Sequence, residues 1–302
     1  MAKIFDATDA SFVAASKCGA FKGAVKNLNN NAYHSLKDYW SSTHLKFMHS
    51  TSPAHFKEKY MKPSEPEEPS KAMILGSLVH TLLLTPDEFE KDFFLMPSLN
   101  LRTNEGKAAK EEILSKNAGK QPVTDEMLIQ ARAMRSSALA NKEVVKLLEP
   151  GLKEAAFFWT CPFSNLNFKA KLDHSSSLHW CEVKTTSSAQ PEEFARHAYN
   201  MHYDLSLFHY REGLKQVMDI TPKAYFIVIE NEAPYVTQVY AVGDGFWETG
   251  HSKWLAAVSA LADGIQKDNW RGYFPTEGFE TPVIDPPAWA VNKLMKGEID
   301  GI

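Results

Sequence analysis

The segment KAKLDHSSSLHWCEVKTT, residues 169–186, decides the fold. It reads as two strands around the short polar turn HSSS (174–177), and it carries an acid, Asp173, a second acid, Glu182, and a lysine, Lys184. Side chains two residues apart on a strand share a face, so Glu182 and Lys184 stand together. A hairpin also brings Asp173, at the end of the first strand, next to Glu182. Two carboxylates at one point repel, and one of them is raised in pKa unless a cation compensates. A hard divalent ion does this, and oxygen donors favour Mg²⁺ or Mn²⁺ over zinc. An ammonium beside that ion can orient a water or neutralise a phosphate oxygen, which is the equipment for hydrolysing a phosphodiester. The spacing alone also fits a surface hairpin with a cross-strand ion pair, and both readings stand open at this point.

Working outward, KEAAFFWTCP (153–162) and LNFKAKLDH (166–174) read as strands before LHWCEVKTT, and KAYFIVIENEAPYVTQVYAV (223–242) as two more. Helical periodicity surrounds them. SSTHLKFMHSTSPAHFKEKYM opens with Ser41 or Ser42 as a cap, and KAMILGSLVHTLLL runs helical to residue 84. Thr85 and Pro86 begin a further helix in TPDEFEKDF, and Thr124 caps one or two helices over 124–150. Residues 191–218 and 245–269 are helical, and KPSEPEEPSK (62–71) is an exposed loop. Helices, a strand cluster, then helix, strands and helix imply an α/β fold with a mixed central sheet flanked by helices. Residues 1–32 lack a pattern and read as an N-terminal extension; residues 33–302 form a single domain.

His80 falls within GSLVHTLLL, a lone imidazole on an apolar helix. On sequence alone a satisfied core histidine is the better reading, with a neutral metal ligand as the alternative.

The bulk properties exclude several classes. A net charge of −4 argues against coating nucleic acid through bulk positive charge, while leaving room for a local basic groove. Three cysteines without a CxxC pair offer no four-thiolate cluster and suit a reducing, cytoplasmic compartment. No apolar run approaches the ~20 residues of a membrane span, and no secretory signal opens the chain.

The series GSLVHTLLLTPDEFEKDFFLMP, LNLRTNEGKAAKEE, EAAFFW, KAKLDH and CEVKTT resembles, in order, the PD-(D/E)xK nuclease domain of RecE-type exonucleases, the exodeoxyribonuclease VIII group of phage and prophage recombination. The resemblance runs from about Tyr33 to the DPPAWA tail. It implies a restriction-endonuclease-like core in which Asp173 and Glu182 bind metal, Lys184 is the catalytic lysine and His80 is a further ligand. The backbone carbonyl of Val183 commonly joins them, and Glu154 resembles an upstream acid that touches a second metal or its water; a solvated strand-end carboxylate fits Glu154 as well. Glu182 stands where the RecE sequence has aspartate. In YDLSLFHY, Tyr203, Ser206 and Tyr210 occupy a helix that in the relatives contacts DNA or metal-bound water, which makes them candidate DNA contacts, but Ser206 replaces the relatives' glutamine and is too short for the same reach.

The resemblance further implies a Mg²⁺-dependent exonuclease, with Mn²⁺ substituting, that digests one strand of linear double-stranded DNA 5′→3′ and leaves 3′ tails. Its expected partners are a RecT-like single-strand annealing protein and copies of itself in a tetrameric or trimeric ring. Phosphate contacts are expected from Arg102 and Lys107 in RTNEGK, from at least one of Lys169 and Lys171, and from Ser42 and Lys46. An endonuclease, a RecB-like enzyme of other polarity and a nuclease-dead DNA-binding module remain as alternatives.

Overall fold

The computed structural model describes residues 3–63, 68–273 and 281–295, so residues 64–67 of the expected loop lie outside it. Its strands are β1 (Ile4–Asp6), β2 (Gly23–Lys26), β3 (Phe93–Leu95), β4 (Gln121–Val123), β5 (Leu152–Thr160), β6 (Asn167–Ser175), β7 (His179–Thr186), β8 (Lys223–Glu230) and β9 (Thr237–Ala241). Seven of them form one mixed sheet in the order β1-β2-β5-β6-β7-β8-β9, while β3 and β4 make a separate parallel pair. The run β5-β6-β7 is an antiparallel meander, but β7 and β8 are parallel. A parallel pair needs a long crossover, and the helices Pro191–Asn200 and Tyr203–Met218 supply it.

Helices cover both faces, which explains why the sheet's centre reads as continuous apolar sequence rather than as alternation. In β5 every residue from Ala155 to Trp159 is buried. Phe157 faces the core under the helices Ser42–Ser50, Tyr203–Met218 and Asp244–Lys267, together with Phe168, Trp180 and Phe226. On the other side Leu78 of helix Lys71–Leu84 and Met134 of helix Asp125–Ala140 pack with Cys181, Val183 and Ile227. Burying each such side chain fully contributes about 1.5–3 kcal/mol. Both of these helices start on side-chain caps: Ser70 Oγ accepts from the Met73 amide at 3.3 Å, and Thr124 Oγ1 from the Met127 amide at 3.2 Å.

Two elements differ from expectation. The helix expected from Thr85 shrinks to a tight turn at Pro86–Glu88 and one helical turn at Phe89–Asp92, because Phe93–Leu95 is drawn into parallel pairing with Gln121–Val123. Residues 4–26, patternless in sequence, extend the main sheet: β2 pairs antiparallel with β5, and Phe12, Phe21 and Val25 bury against Phe158. Strands of three and four residues are too short to show a period, so only their long-range pairing reveals them.

Candidate active site

The site forms where β6 and β7 part. The two strands pair as His174↔Cys181 and Ser175↔Trp180, so the turn falls at 176–178 rather than over HSSS (174–177), and Asp173 sits within its strand, not at its end. Beyond these pairs the ladder opens. There Asp173 Oδ2 accepts the Val183 backbone N–H at 2.7 Å, so a carboxylate takes the place of a strand carbonyl. Asp173 Oδ1 lies 3.3 Å from His80 Nδ1, which helix Lys71–Leu84 carries to the sheet. His80 is therefore partly exposed and faces an acid rather than packing among apolar side chains alone.

Glu182 and Lys184 share a face of β7, as their spacing predicts. Lys184 Nζ donates to Glu182 Oε2 at 2.8 Å and to the Val183 carbonyl at 3.1 Å. That carbonyl, expected to face a metal, is thus already bonded through one of its two lone pairs. Glu154 lies between the register pairs Lys153↔His174 and Ala155↔Leu172, opposite Asp173. Its φ of 51° is a left-handed conformation, which costs a non-glycine residue on the order of 1 kcal/mol and clusters at functional sites. Lys171 Nζ holds its carboxylate at 2.9 Å and also donates to Asn30 Oδ1 at 2.8 Å.

These charges set one another. Burial raises Asp173, but His80 and Lys184 outweigh it and bring its carboxyl down to about 2. Burial and the Asp173 charge push Glu182 up to about 7 against the pull of Lys184. Burial lowers Lys184, yet Glu182 and Asp173 hold its ammonium well above the ordinary range. His80 is likewise depressed by burial and raised, on balance, by Asp173.

The arrangement suits a hard divalent cation. Donor atoms of His80, Glu154 and Asp173 lie within 4.8 Å of one another. Glu182 stands outside that trio, but its Oε1 is buried with no hydrogen-bond partner among the described residues. An orphaned oxygen on a carboxyl that burial and Asp173 raise lacks positive charge, and a cation held by oxygen and imidazole donors supplies it.

Two cavities flank the acids. One of about 720 Å³ is lined by His80, Glu154, Asp173, Lys171, Ser42 and Tyr210, among others. The second, of about 180 Å³, is lined by Lys46, Glu182, Lys184, Tyr203, Ser206 and Tyr210. Tyr210 borders both, and its hydroxyl accepts from Ser42 Oγ at 3.2 Å. The Lys46 and Lys184 ammoniums lie 5.6 and 5.5 Å from the centre of the Tyr203 ring. Burial, then repulsion from Lys184, lowers Lys46 to about 8. Ser206 lines the smaller cavity, and its Oγ is buried with no hydrogen-bond partner among the described residues.

Other expected contacts are not brought here. Lys169 is 2% exposed, and its ammonium donates to the carbonyls of Tyr33 and Leu36 at 2.8 and 2.7 Å. It ties the N-terminal segment to the sheet and has no face for a phosphate; of the pair, only Lys171 lines a cavity. Arg102 and Lys107 are exposed around the start of helix Asn104–Lys116, outside both cavities. Conversely Asn30 and His34, one turn apart on helix Asn30–Ser35, line the larger cavity. Their four-residue spacing was the only sequence signal.

Comparison with known proteins bears on the family and the fold. A family described as "PDDEXK-like domain of unknown function (DUF3799)" matches residues 41–274. Among solved structures, 11 chains match, including the crystal structure of a "Putative exonuclease" from Eubacterium rectale. That structure shares 14% identity and a TM-score of 0.58 over 85% of this chain and 96% of its own, a likeness of fold. Among curated proteins none matches.

Proposed function

This chain belongs to the PDDEXK-like family DUF3799, and on that premise we propose that it is a metal-dependent exodeoxyribonuclease of RecE type. In this reading it digests one strand of linear duplex DNA 5′→3′ with Mg²⁺, or with Mn²⁺ in its place. The observation that carries the reading is the gathering of His80, Glu154 and Asp173 at the open end of the β6–β7 ladder, with Lys184 anchored on Glu182 beside them. The resemblance of the collinear motifs to RecE-type exonucleases supplies the polarity, and the name of the Eubacterium rectale structure agrees with an exonuclease.

Bound at the acids, the cation supplies Lewis-acid charge neutralisation at the phosphate and a lowered pKa for an attacking water. The protein's own groups do the rest. Asp173 and Glu182 supply carboxylate oxygens and His80 an imidazole nitrogen; the Val183 amide fixes the Asp173 carboxylate and Lys184 fixes that of Glu182. Lys184 uses two of its three N–H donors on Glu182 and Val183, and the third is free to position a water or a phosphate oxygen. Lys171 and Ser42 border the larger cavity and Lys46 the smaller, where they meet the strand's phosphates. The 3′ tails produced are the substrate of a RecT-like annealing protein. A ring of identical subunits around the duplex reconciles processive action with a net charge of −4.

The test is digestion of linear duplex DNA labelled separately at each end, with and without Mg²⁺. Mg²⁺-dependent release from 5′ ends, with circular duplex left intact, is the expected result. Release from 3′ ends first would overturn the polarity, and no digestion of any DNA would overturn the enzyme assignment.

A further inference from the structure

We propose that His174, His179 and Cys181 form a second metal site, structural and distinct from the acidic centre, for a borderline-soft divalent cation of the Zn²⁺ kind. Donor atoms of the three residues lie within 4.8 Å of one another. The register explains why: His174 and Cys181 are direct cross-strand partners, and His179 lies two residues before Cys181 on the same face. The donors are nitrogen and sulfur with no carboxylate, a set that suits Zn²⁺ and is poor for Mg²⁺.

Two independent features point to a ligand. His174 is 0% exposed, and neither ring nitrogen has a hydrogen-bond partner among the described residues. A buried imidazole left this way costs about 1–3 kcal/mol per unsatisfied polar atom, and a metal bond removes part of that cost. A Cβ built at Gly151 would sit 2.4 Å from His174 Nε2, so the glycine backbone packs against that edge of the ring and leaves Nδ1 as the nitrogen that can face an ion. The second feature is the orientation of His179. Its Nε2 lies 2.8 Å from the Leu147 carbonyl, which can only accept, so Nε2 carries the proton and Nδ1 keeps its lone pair. Metal-bound histidines are commonly fixed by this type of outer hydrogen bond.

On binding, the Cys181 thiol releases its proton to solvent as the sulfur–metal bond forms. Three protein donors leave a fourth position, which a water would fill from the side of His179, the ligand that is only half-buried. The ion would lock the base of the hairpin. His174 directly follows Asp173 and Cys181 directly precedes Glu182, so the site clamps the two strands one residue from each acid. Through the Leu147 carbonyl it also ties them to the end of helix Lys142–Leu147.

The experiment uses the full chain, stripped with chelator and titrated with Co²⁺ as a spectroscopic probe. A thiolate-to-cobalt charge-transfer band that saturates at one ion per chain and is displaced by Zn²⁺ is expected. The band should persist in Asp173→Asn and vanish in Cys181→Ser, and Zn²⁺ should raise the unfolding midpoint of the wild type. His179→Gln, at a partly exposed position, gives a second variant that should lose the band if Cys181→Ser does not fold. Absence of the band from the wild type would overturn the site. So would its survival in Cys181→Ser, which would assign it to Cys18 or Cys161.

Discussion

Replacing Asp173 by asparagine and by alanine separates what this residue does for the fold from what it does for chemistry. Its Oδ2 accepts the Val183 N–H at 2.7 Å, and Val183 is fully buried. Alanine strands that amide, at a cost of about 1–3 kcal/mol. In a chain of this size that lowers the unfolding midpoint by roughly 2–10 °C. Asparagine keeps the acceptor and the volume. It removes a charge that attracts His80 and Lys184, but the same charge repels Glu182. The two effects oppose, so Asp173→Asn should stay within about 1 kcal/mol of wild type in stability. Its activity should nonetheless collapse, because the lost cation-binding charge is worth several kcal/mol in the transition state, or about 10³-fold in rate. Thermal unfolding and Mg²⁺-dependent release of end label from linear duplex measure the two quantities on the same preparation. Asp173→Asn digesting within tenfold of wild type would refute the role given to this carboxylate.

Other outcomes follow from the same geometry. Glu182 is raised from 4.5 to about 7, so between those pH values the folded metal-free protein holds a proton that the unfolded chain releases, and its stability falls as pH rises. Unfolding midpoints of wild type and Glu182→Gln, compared without metal, should therefore diverge in favour of the variant as pH climbs through that window; parallel curves would contradict the shift. His80→Ala should raise the Mg²⁺ concentration needed for half-maximal digestion by tenfold or more, read from a Mg²⁺ titration, and an unchanged requirement would return the imidazole to a packing role. Lys169→Met leaves the buried Tyr33 carbonyl and the partly buried Leu36 carbonyl without their donor, so it should destabilise by about 2–4 kcal/mol without altering the salt dependence of DNA binding. A shallower salt slope for the folded variant would show that this ammonium does meet phosphate.

The sequence determined those features whose information lies within a few residues. The long helices, the apolar strands β5 to β8 and the Glu182–Lys184 pair follow from local period, caps and parity, all short-range steric facts. The fold class follows from their order. Tertiary structure alone decided which side of each ambiguous residue wins. His80 leaves the core for Asp173 because its helix crosses the opening between β6 and β7. Lys169 and Lys171 share a strand face and a charge, yet one is buried under residues 33–36 and the other lines the cavity. The two short N-terminal strands likewise exist only because β5 offers an edge to pair with. In each case the deciding partner lies scores of residues away, and no local pattern encodes the distance between side chains that meet only after the chain has folded.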